Sequence, residues 1–324
     1  MSRILRRLYS TSSPPSSITA ADAAAQFLLR YASTPPLIRK QYLDANQLQL
    51  LQHTLPPCSA NPVQEISPGS PIPAGHHLVY FTPSQPLSEL GEDGTDTSYN
   101  PAPPFTRRMW AGGELEWVQG ATMKAGEEAW EETEVKSAAA KRTRAGEDMV
   151  VVGVEKRFGN AGGLSLVDRR NWIFRPSLSS PVSVPRSNTI HAPPPTVPLP
   201  SSPNTLDLIQ TPESLFRFSA LTFNGHKIHY NREWCREVEG HRDLVVHGPL
   251  NLICLIDFWR TAVHRKGEAV EVLYPKRVQY RNTSPVYANE MYRVLLENER
   301  EKVIEARIVD SFGKTAMIGT IEGF

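Results

Sequence analysis

Cysteine is nearly missing from this chain. Cys58, Cys235 and Cys254 are the only three in 324 residues, and no two form a C-x-x-C pair. That excludes a disulfide scaffold and a four-cysteine zinc site. A sparse, odd set suits a reducing compartment such as cytosol or mitochondrial matrix. Long apolar runs are missing too. The longest, Leu252-Ile-Cys-Leu-Ile256, is interrupted by Asp257 and Arg260, far short of the ~18–20 residues that span a bilayer. No sign of charge dominates: 35 basic against 34 acidic residues leave +1, so no overall field draws nucleic acid or an anionic membrane. The basic run Lys141-Arg-Thr-Arg144 is short, with glutamates nearby on both sides, and makes no nucleic-acid patch.

What the chain has in excess is proline, 28 of 324 residues, about 9% against a usual ~5%. Collagen is excluded because there is no Gly-X-Y period, and the 40% hydrophobic content is ordinary for a chain that buries a core. Fifteen prolines lie at or before Pro104, none between Phe105 and Arg175, nine from Pro176 to Pro203, and four afterwards. Proline is excluded from helix interiors and central strands, so regular structure belongs in the proline-free stretches. Residues 176–203 read as an extended, polyproline-like linker, and Ser88–Pro104 as a long loop. The expected organisation is a leader over residues 1–19, a unit over 20–175, the linker, and a second unit over 204–324.

The leader rests on Arg3, Arg6 and Arg7, serines at 10, 12 and 13, and no acid before Asp22. Arg-rich, Ser-rich and acid-free is the composition of a mitochondrial transit peptide. The matrix is therefore the expected location.

In the first unit, Asp44–Leu55 has helical spacing at Leu48, Leu51 and Leu55, with Asp44 as N-cap. Strands are expected at Arg107–Trp117, Ala129–Val135, Met149–Arg157 and Trp172–Arg175, with Gly159–Gly163 as a hairpin loop and Trp110, Trp117 and Trp172 packing on the sheet. In the second unit a strand is expected near Leu215–Leu221, a short helix about Asn231–Val238, and an apolar helix over Pro249–Val263. Strands then follow at Ala269–Tyr280, Ala288–Glu297, Lys302–Asp310 and Thr315–Ile321. An apolar helix followed by antiparallel strands predicts a sheet wrapped around a central helix. Two such blocks predict a duplicated α+β unit.

Chemistry concentrates in Phe218-Ser-Ala-Leu-Thr-Phe-Asn-Gly-His-Lys-Ile-His-Tyr-Asn231, with His247 eighteen residues after His229. His229 can exchange a proton near neutral pH, as a general acid or base requires. Asn224 can orient a water or hydroxyl but cannot donate a carboxylic proton. His226 either hydrogen-bonds the loop or takes part in proton transfer. His226-x-x-His229 offers two metal ligands, but no third has convincing spacing. His247-Gly248 precedes the apolar helix, where free N–H groups and the positive dipole end lie. Glycine admits a close carbonyl, which the Gly248 N–H would polarise while His247 shapes the turn.

These residues resemble the motif of the MaoC-like, R-specific enoyl-thioester hydratases of the hot-dog fold, Gly-Asp-x-Asn-Pro-(Ile/Leu)-His, followed by an apolar-apolar-His-Gly stretch. Phe223 stands at the family glycine, Asn224 at the aspartate, His226 at the asparagine, Lys227 at the proline and His229 at the histidine. The form Phe-Asn-x-His-x-Ile-His-Tyr is similar to a branch that includes mitochondrial 3-hydroxyacyl-thioester dehydratase type 2 and mesaconyl-CoA hydratases. Arg107–Gly113 with Leu115-Glu116 resembles that branch's amino-terminal half.

The resemblance implies a double hot-dog, with chemistry in the second unit and part of the acyl pocket built by the first. His229 would remove the Cα proton of a (3R)-3-hydroxyacyl thioester, and Asn224 would hold the departing hydroxyl. The second proton would come from His226, or from His229 through water. The thioester carbonyl would lie at Gly248 and His247, with no redox cofactor or metal called for. The substrate would be an acyl chain on acyl carrier protein or CoA, held through its phosphopantetheine arm. Arg107 and Arg108 either meet that arm's phosphate or are solvated sheet-edge charges. Hydration of a short or dicarboxylic enoyl-CoA, and acyl-thioester binding without turnover, are the alternatives. Monomer and homodimer are equally compatible.

Overall fold

The computed structural model describes residues 18–56, 65–143, 145–178, 198–202, 204–265 and 274–324. The leader falls outside these except for Ile18 and Thr19, and most of the proline-rich linker falls outside as well.

Ten strands form one antiparallel sheet. The first five are β1 (Leu37–Tyr42), β2 (Phe105–Trp117), β3 (Glu128–Arg142), β4 (Asp148–Asn160) and β5 (Gly163–Pro176). The second five are β6 (Asn204–Ile209), β7 (Arg277–Asn282), β8 (Met291–Arg300), β9 (Val303–Val309) and β10 (Thr315–Glu322). Their order across the sheet is β1-β3-β4-β5-β2-β7-β10-β9-β8-β6. Read outward from the middle, the two halves have the same connectivity, and they meet where β2 pairs with β7 from Gly112↔Arg281 to Glu116↔Arg277. This is the double hot-dog architecture, and the duplication is visible in the strand order itself.

The expected hairpin loop is there: β4 ends at Asn160, whose Oδ1 accepts the Gly162 N–H at 2.9 Å before β5 begins. The apolar helix is α4, Gly248–Arg265. Leu250, Leu252, Ile253, Cys254, Leu255 and Ile256 are all fully buried, so the helix is apolar around its circumference and enclosed. Its one acid, Asp257, meets His76 Nε2 at 3.0 Å and Arg260 at 2.8 Å, which satisfies a charge that would be costly unpaired.

The first unit departs from the second in its helix. Its counterpart, α2 (Ala45–Gln52), is eight residues long, with Asp44 as the expected N-cap, and sends Leu48 and Leu51 into the same core as α4. A further helix, α1 (Ala20–Tyr31), was not expected from the sequence. It is capped by Thr19 and packs Ala20, Ala23, Ala24 and Phe27 on Val150, Val152, Val154 and Phe174.

Two expectations are corrected and a third is refined. Leu215–Leu221 is not a strand but the end of helix α3, Pro212–Leu221, which a Thr211–Ser214 capping box and Pro212 start. The short helix expected about Asn231–Val238 is present, but its turns over Trp234–Val238 are of the wider π form. The strand expected at Ala269–Tyr280 begins at Arg277, and residues 266–273 lie outside the described ones. Trp117 and Trp172 are buried in the core as expected, with Trp110 partly buried against it.

Candidate active site

α3 ends at Leu221. Phe223 then takes a left-handed conformation (φ 49°), a reversal that costs energy for a residue other than glycine. It leaves the Phe223 ring exposed and turns the chain back, so that the Asn224 N–H reaches the Ser219 carbonyl at 2.8 Å. Asn224 Oδ1 accepts the His226 N–H at 3.1 Å. The loop is thus braced by the asparagine carbonyl, an Asx-type turn, and the Asn224 amide N–H groups remain as donors. His226 leads into a short 3-10 turn, Lys227–His229.

Residues 244–246 run alongside this loop. The Val245 N–H donates to Ile228 O at 2.9 Å, and the Val246 N–H to Val286 O at 2.8 Å. His229 Nδ1 lies 2.7 Å from the Val245 carbonyl. A carbonyl only accepts, so Nδ1 carries the hydrogen and Nε2 of the neutral ring holds the free lone pair. Burial first, and the neighbouring His226 imidazole second, push the His229 pKa down to about 3. The ring is therefore neutral at physiological pH.

His247 stacks on His229 with ring centroids 3.5 Å apart and planes 19° from parallel. Its Nε2 lies 2.9 Å from Ser219 Oγ, while its buried Nδ1 has no protein partner. Burial, then the adjacent His229, holds its pKa well below the ordinary value. Gly248 follows at the start of α4. A Cβ there would sit 3.1 Å from Asn282 Nδ2 and 3.3 Å from the Trp110 ring, so glycine is what leaves room at the helix N-terminus. The structure thus brings His226, His229 and His247 into one buried cluster, with half-buried Gly248 next to His247 and Asn224 two residues from His226 on the bracing loop.

Two carboxylates not anticipated from the sequence join them. Asp93, from the long loop of the first unit, has Oδ2 3.6 Å from His226 Nε2. Glu239 has Oε1 3.9 Å from the same nitrogen. Its oxygens also accept from Trp234 Nε1 at 3.1 Å and Arg107 Nη2 at 3.3 Å. Burial alone would raise the Glu239 carboxyl. The His226 imidazole, the Trp234 N–H and the Arg107 charge overcome that and hold it at about 2. No sequence spacing flags either residue, because Asp93-Gly94 reads only as a turn and Glu239 sits among other charges.

Asp93, His226 and Glu239 also bring their ligand atoms within 4.8 Å of one another, a spacing that could hold a metal. The guanidinium and indole N–H already on Glu239 make the trio more apt for proton handling than for a cation. Arg107 pairs with Glu239, and the Arg108 guanidinium lies 5.5 Å from the Trp172 ring centroid. Neither is a solvated edge charge, and both are engaged inside the protein.

The family model for hydroxyacyl-thioester dehydratase type 2 matches residues 75–288, the stretch that contains both the loop carrying Asp93 and the His229 site. The chain is 29% identical over 272 residues to mesaconyl-C(4)-CoA hydratase of Chloroflexus aurantiacus, covering 83% of this chain and 88% of that protein. It is 25% identical over 251 residues to the mitochondrial hydroxyacyl-thioester dehydratase type 2 of Schizosaccharomyces pombe, covering 68% and 76%. A MaoC-like dehydratase from Phytophthora capsici shares the fold, with a TM-score of 0.59, 12% identity, and coverage of 92% of this chain and 98% of that one. With the family model matching well over half its length, the chain belongs to the hydroxyacyl-thioester dehydratase type 2 family.

Proposed function

We propose that the protein dehydrates (3R)-3-hydroxyacyl thioesters to trans-2-enoyl thioesters, reversibly, with acyl carrier protein as carrier in mitochondrial type II fatty acid synthesis. The observation that carries the reading is the His229 Nδ1–Val245 carbonyl bond, which leaves Nε2 as a base beside the N-terminus of α4. His229 Nε2 takes the Cα proton, and the electron pair moves toward the thioester carbonyl. The Gly248 N–H and the helix dipole stabilise the oxygen as enolate character develops. The C3–O bond then breaks as the hydroxyl, held by the Asn224 amide N–H, is protonated and leaves as water. One proton is taken and one given, so the reaction is neutral overall and needs no redox partner.

A base whose conjugate acid is this acidic is weak in the empty site. The negative charge gathering on the bound thioester is what would raise it during the reaction. The test is the absorbance of crotonyl-CoA during hydration by wild-type protein and His229→Ala. Losing the base is expected to cost roughly 10²–10⁴-fold. Equal rates for the two proteins overturn the assignment, and a protein inert on every thioester supports a binder without turnover.

A second reading is hydration of a short or dicarboxylic enoyl-CoA. It is supported by the similarity to the Chloroflexus enzyme, which covers more of the chain than the similarity to the yeast one. Rates against chain length on CoA and on acyl carrier protein separate the two. The matrix location rests on Arg3, Arg6 and Arg7 and on the mitochondrial relative. Replacing all three arginines with Gln should abolish mitochondrial import of a tagged protein, and unchanged import overturns it.

A further inference from the structure

Asp93, buried, and Glu239, partly buried, are acids with no task in the scheme above, and both are fixed before any substrate arrives. Asp93 Oδ1 accepts from the Thr95 N–H at 2.9 Å and Thr95 Oγ1 at 2.7 Å. Glu239 is held by Trp234 and Arg107. The other Asp93 oxygen, Oδ2, approaches His226 Nε2 at 3.6 Å, and Glu239 Oε1, which also takes the Trp234 N–H, lies 3.9 Å from the same nitrogen. These distances are too long for a direct hydrogen bond but close enough for charge to act in a buried site. The His226 ring is also 5.3 Å, centroid to centroid, from His229 and nearly perpendicular to it. The two imidazoles can therefore address neighbouring carbons of one substrate. Asn224, where the family motif has its acid, cannot release a proton, and its carbonyl is already committed to the His226 N–H.

The backbone delivers Asp93 deliberately. The Gly91 N–H donates to Thr95 O and the Gly94 N–H to Gly91 O, both at 2.8 Å, so residues 91–95 form a tight strap. The strap is fastened to the catalytic loop. The Lys227 N–H donates to Asp93 O at 2.8 Å, and Lys227 Nζ to Glu92 O at 2.6 Å. Gly94 packs directly against the Gly225 carbonyl, with φ +81°.

We propose that Asp93 and Glu239 are positioning residues that hold His226 as the proton donor to the departing C3 hydroxyl, replacing the acid that Asn224 cannot be. The inference rests on the reading of His229 as the base. In balance, His229 Nε2 gains the Cα proton, the C3–O bond breaks, and His226 gives its Nε2 proton to the leaving oxygen. The proton on His229 then returns to His226 through solvent. The charged and titratable groups around His226 are Lys227 and His229 on its own loop, His247 stacked on His229, and Asp93 on the strap. Glu239 and His241 follow the π turn, and Arg107 lies behind Glu239 on β2.

The test is kcat and KM for 3-hydroxybutyryl-CoA dehydration across pH for wild type, Glu239→Gln, Glu239→Asp, Asp93→Asn, His226→Gln and His229→Gln. Glu239→Gln is expected to lower kcat by roughly 10–100-fold with KM little changed. Glu239→Asp should recover part of the rate. Adding Glu239→Gln to His226→Gln should cost nothing further, since the two act as one unit. Should Glu239→Gln fail to fold, Asp93→Asn carries the same comparison.

Unchanged kcat in both carboxamide variants overturns the proposal, as does a loss fully additive with His226→Gln. So does activity abolished by EDTA and restored by a divalent cation, which would make the trio a metal site. If His229→Gln is active as wild type, the base assignment falls and takes this inference with it. If His229→Gln is inactive while Glu239→Gln is unaffected, only this inference falls.

Discussion

His229 owes its behaviour to a single backbone carbonyl. Val245 O fixes which ring nitrogen carries hydrogen, and burial keeps the ring neutral. His247 is held by a side chain, Ser219 Oγ, whose hydroxyl can donate or accept. Ser219→Ala removes that partner and leaves a buried nitrogen unsatisfied, which costs about 1–3 kcal/mol. It should appear as a lowered urea midpoint, with loss of activity as the His247–His229 stack loosens. An unchanged midpoint would show the bond to be dispensable. At this scale the sequence was informative where chemistry is local. Asn224, His226 and His229 lie within six residues, and His247-Gly248 borders an apolar helix, so the cluster could be read directly. Asp93 could not, because it reaches His226 through a contact between loops more than 100 residues apart, and Glu239 could not, because it sits among other charges.

Among the elements, α3 is the clearest misreading. Leu215, Phe218 and Leu221 are apolar and aromatic enough to pass for a buried strand, and short apolar runs do not distinguish the two by periodicity. The deciding signal was Thr211-Pro212-Glu213-Ser214, a cap with proline in the first turn. Thr211→Ala should destabilise the protein by about 1 kcal/mol, read as a shifted urea midpoint, and no shift would deny the cap its role. β1 was hidden for another reason. Leu37, Ile38 and Tyr42 are all exposed at the sheet edge, so no buried face patterns the strand, and only pairing with β3 defines it. The strap that carries Asp93 is a second element-scale test. Gly94→Ala combines a left-handed φ with a Cβ driven into the Gly225 carbonyl, so the strap must shift. The kcat is expected to fall more than about tenfold while the thermal midpoint moves only modestly. A variant with full activity would show that the strap does not set the site.

For the whole molecule, four histidines, three of them buried and His241 partly so, share one sign of shift. His77, His229, His241 and His247 are all pushed below the ordinary value, in each case chiefly by burial. Each is neutral when folded, whereas the unfolded chain binds a proton below about pH 6.5. Stability should therefore be flat above pH 7 and fall on acidification. Each group adds at most about 1.4 kcal/mol per pH unit until its folded value is reached. Carboxyls held down, Asp168 and Glu239 at about 2, contribute a second loss below about pH 4. Urea midpoints at pH 7.5, 6 and 5 check the first stage. A midpoint constant over that range would contradict it.

The double architecture itself was legible because an apolar helix followed by four strand signals is hard to mistake. The short helix of the first unit was legible as well, from Asp44 as N-cap and the spacing of Leu48 and Leu51. The β2–β7 seam has a consequence for kinetics. It joins two halves of one polypeptide, so the strap of one half finds the loop of the other at an effective concentration that dilution cannot lower. Specific activity should hold constant as the enzyme is diluted to nanomolar levels, where a site shared between separate chains would come apart.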